Sequence, residues 1–307
     1  MPCLARSCKV RTWSIRFVAS KLATRAFTKT SRSKTLSSRK PLSLNKISIA
    51  GPVWLASDIH LGPDNPETAE SFFAFLDKAS AHAGALFLLG DIFDVWIGDD
   101  WADQPPAWLG QALAHLQQTS NQIPLFIGHG NRDFLMGQRL AARLGAQLLD
   151  DQCLLQTHQQ CVLLAHGDEF CTTDHAYQRF RKIVRHPWVQ KLYLSLSLPQ
   201  RMAIAHRARL KSIKTQARPN AVWHDVTLTQ IDQTLRQAGT RVLIHGHTHR
   251  PGHYPSADGS AMVDRWVLPD WEADHLEPGQ APRGGWIVIN NSGIGLFNVD
   301  GTVQMST

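Results

Sequence analysis

A chain of 307 residues, 43% hydrophobic and 19% charged, is long enough for one large domain or two small ones, and its composition is that of an ordinary globular protein. Its formal charge of +7 suggests a nucleic-acid or membrane binder until the charge is located. Twelve of the 32 Lys and Arg precede Asp58, the first acidic residue, and the chain from Asp58 onward carries a formal −5, so the basic balance belongs to a leader and not to the body.

That leader, residues 1–48, is rich in Arg, Lys, Ser and Thr and lacks both acids and a long apolar run. Neither a secretory signal nor a membrane span fits it; a transit peptide, a disordered extension or translated upstream sequence does. The body is then residues 49–307. Five cysteines (Cys3, Cys8, Cys153, Cys161, Cys171) show no metal-ligand spacing and read as reduced packing residues.

Along the body, strands and helices alternate. A strand near 52–57, an amphipathic helix near 67–80 and a strand at 85–89 come first. A helix at 107–118, a strand at 124–128, a helix at 135–143 and strands near 147–156 and 161–166 follow. This alternation is the α/β signature. From about 173 to 221 the pattern changes to helical composition dense in Arg, Lys and large apolar residues, which reads as a helical lid inserted between two sheet strands. A helix near 224–238 leads to a strand at 241–245, and the tail (263–267, 285–290, 295–299) reads as antiparallel strands forming a second sheet face.

Chemistry gathers where strands end. Ser57-Asp58-Ile59-His60, Gly90-Asp91, Gly130-Asn131-Arg132-Asp133, His166-Gly167-Asp168 and Gly246-His247-Thr248-His249 each follow a short apolar run, so their side chains project from carboxyl ends of neighbouring strands, where open α/β sheets place their sites. Asp58 and His60, and again His247 and His249, are i, i+2 pairs that an extended chain sends to one face. Asp91 is suited to bridge two cations. One ion then takes Asp58, His60, Asp91 and His249; the other takes Asp91, Asn131, His166 and His247. Oxygen and nitrogen donors without thiolate favour Mn²⁺, Mg²⁺, Fe²⁺ or Zn²⁺ over copper, and two such ions roughly 3.5–4 Å apart activate water against a polarised phosphoryl group.

The five runs resemble the D-x-H, G-D, G-N, H-G and G-H-x-H pattern of the calcineurin-like metallophosphoesterases. The resemblance implies a four-layer αββα sandwich, with the lid as an insertion, and hydrolysis of a phosphorus ester or anhydride. Arg132 stands where many members carry His; a guanidinium cannot protonate a leaving group but can clamp phosphate, which suits a pyrophosphate substrate.

Longer strings, Phe87 to Asp100, Gly130 to Leu135, His166 to Arg181 and His245 to Pro251, resemble the UDP-2,3-diacylglucosamine pyrophosphatases of lipid A biosynthesis. That family implies attack at the α-phosphorus to give UMP and 2,3-diacylglucosamine 1-phosphate, two Mn²⁺ per chain, and a peripheral place on the cytoplasmic face of the bacterial inner membrane, with no nucleic-acid or obligate protein partner. Arg132 and Asp91 are the catalytic residues expected, and Asn131, Arg132, His166, Asp174, Ser212, Gln216 and His247 the substrate contacts. Gln216 and Pro219 depart from the family's Asn and Lys, so Lys214 or Arg218 is expected to supply the charge. Asp94, Asp99, Asp100, Asp133 and Asp168 read as supporting carboxylates, and Arg181, Arg185 and Arg201 as cations for an anionic membrane surface. In the tail, the string ending Pro269-Asp270-Trp271 and the long stretch 273–283 depart from the family in loop conformation rather than in chemistry.

A nuclease would need a basic groove that this acidic body lacks, and a metal-free scaffold would not keep all seven ligands.

Overall fold

The computed structural model describes residues 44–216, 225–255 and 263–307. In chain order these form β1 (Asn45–Ser48), β2 (Val53–Ala56), α1 (Pro66–His82), β3 (Ala85–Leu88), α2 (Ala107–Ser120), β4 (Leu125–Ile127), α3 (Gln138–Leu144), β5 (Gln147–Leu148), β6 (Gln152–Gln156) and β7 (Cys161–Ala165). The lid helices α4 (His175–Val184), α5 (Pro187–Leu194) and α6 (Leu198–Gln216) follow. Then come α7 (Leu228–Ala238), β8 (Val242–His245), β9 (Gly252–Pro255), β10 (Asp264–Val267), β11 (Gly285–Asn290), β12 (Gly293–Asn298) and β13 (Val303–Ser306).

Two sheets result, one ordered β1-β6-β7-β8-β10-β9 and the other β13-β12-β11-β2-β3-β4-β5. Their strands alternate in what each face buries. Val53 and Leu55 of β2, with Ala85 and Phe87 of β3, face Leu155, Val162, Leu164, Ile244 and Trp266 of the other sheet in a core between the two. Leu86 and Leu88, one residue out of phase, turn the opposite way and meet Phe72, Phe75 and Leu76 of α1 and Leu109, Leu113 and Leu116 of α2. On the far side, Leu163 and Leu243 pack against Ile231 and Leu235 of α7. Three cores separate four layers, so the expected αββα sandwich is the observed architecture.

Helix α1 shows how sequence and tertiary structure share the work. Phe72, Phe75, Leu76 and Ala79 recur at helical spacing and are all buried. Pro66 starts the helix with its missing N–H at a position that needs no bond. The cap comes from the tail: Asp274 accepts from the backbone N–H groups of Glu67 and Thr68, each at 2.9 Å.

Three expectations need correction. Residues 45–48, assigned to the leader, are a strand running parallel to β6, with Ile47 packed against the core between the sheets. The single strand expected across 147–156 is two, because β5 pairs with β4 in one sheet and β6 with β7 in the other. The tail forms no sheet of its own: β10 joins β8 in parallel, while β11, β12 and β13 extend the sheet that holds β2. Crossover connections, which local patterning does not encode, decide all three.

Candidate metal centre

The loops after β2, β3, β4, β7 and β8 converge at the carboxyl ends of the parallel strands. There Asp58, His60 and His249 form one cluster of donor atoms within 4.8 Å of one another, and Asp58, Asp91 and His166 form a second. His249 Nε2 lies 3.4 Å from Asp58 Oδ1 and 3.4 Å from His60 Nε2. His166 Nε2 lies 3.1 Å from Asn131 Oδ1, and its ring packs edge-on to His247 with centroids 5.1 Å apart. One oxygen faces both sets: Asp91 Oδ2 is 3.9 Å from His60 Nδ1 and 3.8 Å from His166 Nε2. All seven residues expected as ligands therefore lie together, with Asp91 between His60 and His166 and Asp58 common to both clusters.

The local chain is bent to achieve this. Among the described residues, the non-glycine positions with positive φ are Asp58, His60, Asp91, His247 and His249, every one an expected ligand. Each such residue costs on the order of 1–3 kcal/mol and persists only where its surroundings enforce it. Close approach of backbone provides that enforcement. A Cβ on Gly130 would lie 2.0 Å from Asp91 Oδ1, and one on Gly246 would lie 2.1 Å from Asp58 Oδ2, so only glycine fits beside these carboxylates.

Supporting carboxylates then pin the loops. Buried Asp133 accepts from the backbone of Gly130 at 2.8 Å, Ile92 at 2.7 Å and Asp91 at 3.2 Å, tying two ligand loops together. Asp168 accepts from Tyr177 Oη at 2.5 Å and Arg181 Nε at 2.7 Å, and the Tyr177 ring stacks on His247, so α4 is fastened to the ligand loops. Asp99 holds the backbone of Gly137 and Leu140, and Asp100 pairs with Arg201.

The electrostatics fit a divalent cation. Burial pushes the Asp91 carboxyl up to about 7 against the opposing pull of His166 and Arg132. Burial disfavours the His166 imidazolium too, yet Asp91 and Asp58 outweigh it and raise the group to about 9. Burial also drives His247 down to about 4, with His166 adding to the effect. Asp58 Oδ1 and His60 Nδ1 are buried without a hydrogen-bond partner, as befits atoms that ligate. Carboxylate, amide and imidazole donors together match hard or borderline ions.

With these ligands assembled, the comparisons decide the family. A model of the calcineurin-like phosphoesterases matches residues 51–251. The chain belongs to this family. Among curated relatives, a UDP-2,3-diacylglucosamine hydrolase of Bordetella parapertussis is 48% identical over 257 residues, covering 83% of this chain and 98% of that protein. Relatives of the same name from Aeromonas hydrophila, 42% identical over 70% of this chain and 88% of theirs, and Chromobacterium violaceum, 40% identical over 79% and 96%, also match. Like other calcineurin-like phosphoesterases, the chain is an enzyme that hydrolyses phosphorus esters or anhydrides and offers a site for divalent metal.

Around the centre, Arg132 lies where the sequence places it, its Nε 3.6 Å from Asp91 Oδ2 and its Nη1 paired with Asp94. Asp174 caps α4, accepting from Tyr177 N at 2.9 Å. A lid cation that the sequence did not single out reaches Asp94 beside Arg132: Arg209 of α6, at 3.0 Å. Ser212 follows Arg209 at i+3, one turn along the same helix. Lys214 is exposed on α6, while Arg218, Pro219 and the Gln216 side chain fall outside the described residues.

The reading of Arg181, Arg185 and Arg201 as surface cations is wrong. Arg181 and Arg185 bind Asp151 and Asp168, Arg185 also donates to the Gly130 carbonyl at 2.9 Å, and Arg201, 2% exposed, is consumed by Asp100 and the Ile97 carbonyl. The lid exposes large apolar side chains, Trp188 at 73% and Leu192 at 70% with Ile183 and Phe180, and beside them the cations Arg179, Lys182, Lys191 and Arg207.

Proposed function

We propose that this enzyme hydrolyses the pyrophosphate bond of UDP-2,3-diacylglucosamine, giving UMP and 2,3-diacylglucosamine 1-phosphate. Relatives that align over nearly their whole length are named UDP-2,3-diacylglucosamine hydrolases, which supports the substrate. The observation that carries the reading within this chain is the pair of guanidiniums at Asp94. Arg132 and Arg209 reach that one carboxylate from the ligand loop and from the lid, beside the metal centre. Two such groups match the paired anionic centres of a diphosphate.

Asp58, His60, Asp91 and His249 would hold one ion and Asp91, Asn131, His166 and His247 the other, with Mn²⁺ the ion we assign; bound there, such a pair supplies Lewis acidity and a water nucleophile at neutral pH. Arg132 binds a phosphoryl oxygen and stabilises the charge that develops on it. It has no proton to give, and none is needed, because the departing group is itself a phosphate. Asn131, His166 and His247 line the same centre. Asp174, Ser212 and Gln216 are proposed contacts to the glucosamine portion, Ser212 one helical turn after Arg209 on α6. The apolar lid residues shelter the acyl chains.

Attack at the α-phosphorus has a direct readout. Hydrolysis in ¹⁸O-water should place the label in UMP, read by mass spectrometry; label in the sugar phosphate instead would contradict the proposed geometry.

A second aspect of the same proposal is peripheral attachment to the inner membrane. Among the described residues no helix is long and apolar enough to cross a membrane. The exposed face carrying Trp188, Leu192, Ile183 and Phe180, with Lys191 over the Trp188 ring, supports burial in a lipid interface. Vesicle flotation of a chain starting at Pro41, which keeps β1 and removes most leader cations, tests this. A protein that stays in solution with anionic vesicles at low salt would limit the lid to a substrate chamber.

A further inference from the structure

Residues 270–283, which the sequence suggests differ only in loop conformation, touch the metal centre. Trp271 N donates to the backbone carbonyl of Asp58 at 3.1 Å. Its neighbour Asp270, whose side chain is 10% exposed, places Oδ2 3.5 Å from His249 Nδ1. His249 presents its other nitrogen, Nε2, to Asp58 and His60. One tail segment thus braces two ligands of one cluster, from outside that cluster.

The segment is itself fixed. The Trp271 ring packs edge-on to Phe72 of α1, with centroids 5.7 Å apart. Glu272 and Arg283 exchange backbone hydrogen bonds at 3.0 and 2.8 Å, closing the loop between them. That closure brings Arg283 Nη2 to 2.9 Å from the same Asp270 oxygen that faces His249.

We propose that Asp270 is a positioning residue for His249, and that Arg283 competes for its carboxylate and so sets how strongly one metal site binds. The inference rests on His249 being a ligand. An imidazole that ligates through Nε2 carries its proton on Nδ1, and a carboxylate at Nδ1 fixes that tautomer, holds the ring and makes Nε2 a better donor. A cation on the same carboxylate draws its charge away from the ring and adds positive charge near the site, opposing both effects.

The two partners therefore act with opposite signs, which a merely structural role for the loop does not produce. Metal-free full-length protein titrated with Mn²⁺ by calorimetry, with the wild type compared against Asp270→Asn and Arg283→Ala, reads this directly. Asp270→Asn should weaken one of two sites about 10- to 100-fold and leave the other unchanged. Arg283→Ala, a change at a half-exposed side chain that should not compromise folding, should tighten the same site about two- to fivefold. Unchanged binding by Asp270→Asn, or equal or weaker binding by Arg283→Ala, overturns the proposal. A wild type that takes up no metal would instead overturn the ligand assignment on which it rests.

Discussion

The ligand loops and the lid meet at Asp94 but are built to opposite rules. In the loops, five residues expected as ligands sit at positive φ, glycines leave no room for a methyl group, and buried carboxylates tie one loop to the next. In the lid, α4 and α5 bury no residue fully and turn Trp188, Leu192 and Ile183 to solvent, while Arg181 and Arg185 at the end of α4 and Arg201 on α6 fasten the lid to the body through carboxylates. The loops are overdetermined and the lid is tethered at a few points. Strained, rigid geometry suits reacting atoms that must be held closely, and a tethered apolar surface suits a flexible, oily substrate.

The contrast is broken most severely at its centre. Asp91→Ala should remove both metals and nearly all turnover, because one carboxylate oxygen faces both imidazole sets; elemental analysis with a turnover assay checks this, and a variant keeping a tenth of wild-type activity contradicts the bridge. Next is Arg132→Ala, which should lose on the order of 10²–10³ in kcat while retaining its metals, with Arg132→Lys rescuing poorly since the planar fork is gone. Loss of metal by Arg132→Ala would make the residue structural.

On the lid side of the same carboxylate the expected effect is smaller. Arg209→Ala should raise KM about tenfold with kcat changed less, since this guanidinium reaches Asp94 from α6 rather than from a ligand loop. Equal losses from Arg209→Ala and Arg132→Ala would erase the distinction between loop and lid.

How much of this was legible follows from range. The ligand runs could be read because an i, i+2 pair after an apolar strand is a local pattern, and the αββα layers because β2 and β3 alternate cleanly between two cores. Strand β1 escaped because Asn45-Lys46-Ile47-Ser48 has a single large apolar residue and owes its conformation to β6. Arg209 escaped because it is one of several arginines on α6, and only the fold shows which of them meets Asp94. Asp270 was visible only as part of a tail string, since its meeting with His249 depends on how the chain returns to β2. Arg201 misled for the same reason: a cation in a helical segment looks solvated until Asp100 is found beside it.

The smallest effects on stability separate the regions once more. Phe87→Ala, in the core between the sheets, should cost about 3–5 kcal/mol, whereas Trp188→Ser should stay within about 0.5 kcal/mol and weaken vesicle binding. Denaturant titration of both variants reads the first contrast, and flotation the second.

On the proposed function, a dimetal centre and an apolar lid together select a diacylated UDP-sugar. Its most direct test is release of UMP from UDP-2,3-diacylglucosamine, compared with unacylated UDP-sugars, by protein stripped of metal and then reloaded with Mn²⁺. The expected result is no release from stripped protein, recovery on reloading, and strong preference for the acylated substrate. Equal rates with acylated and unacylated substrates, or full activity without metal, would contradict it.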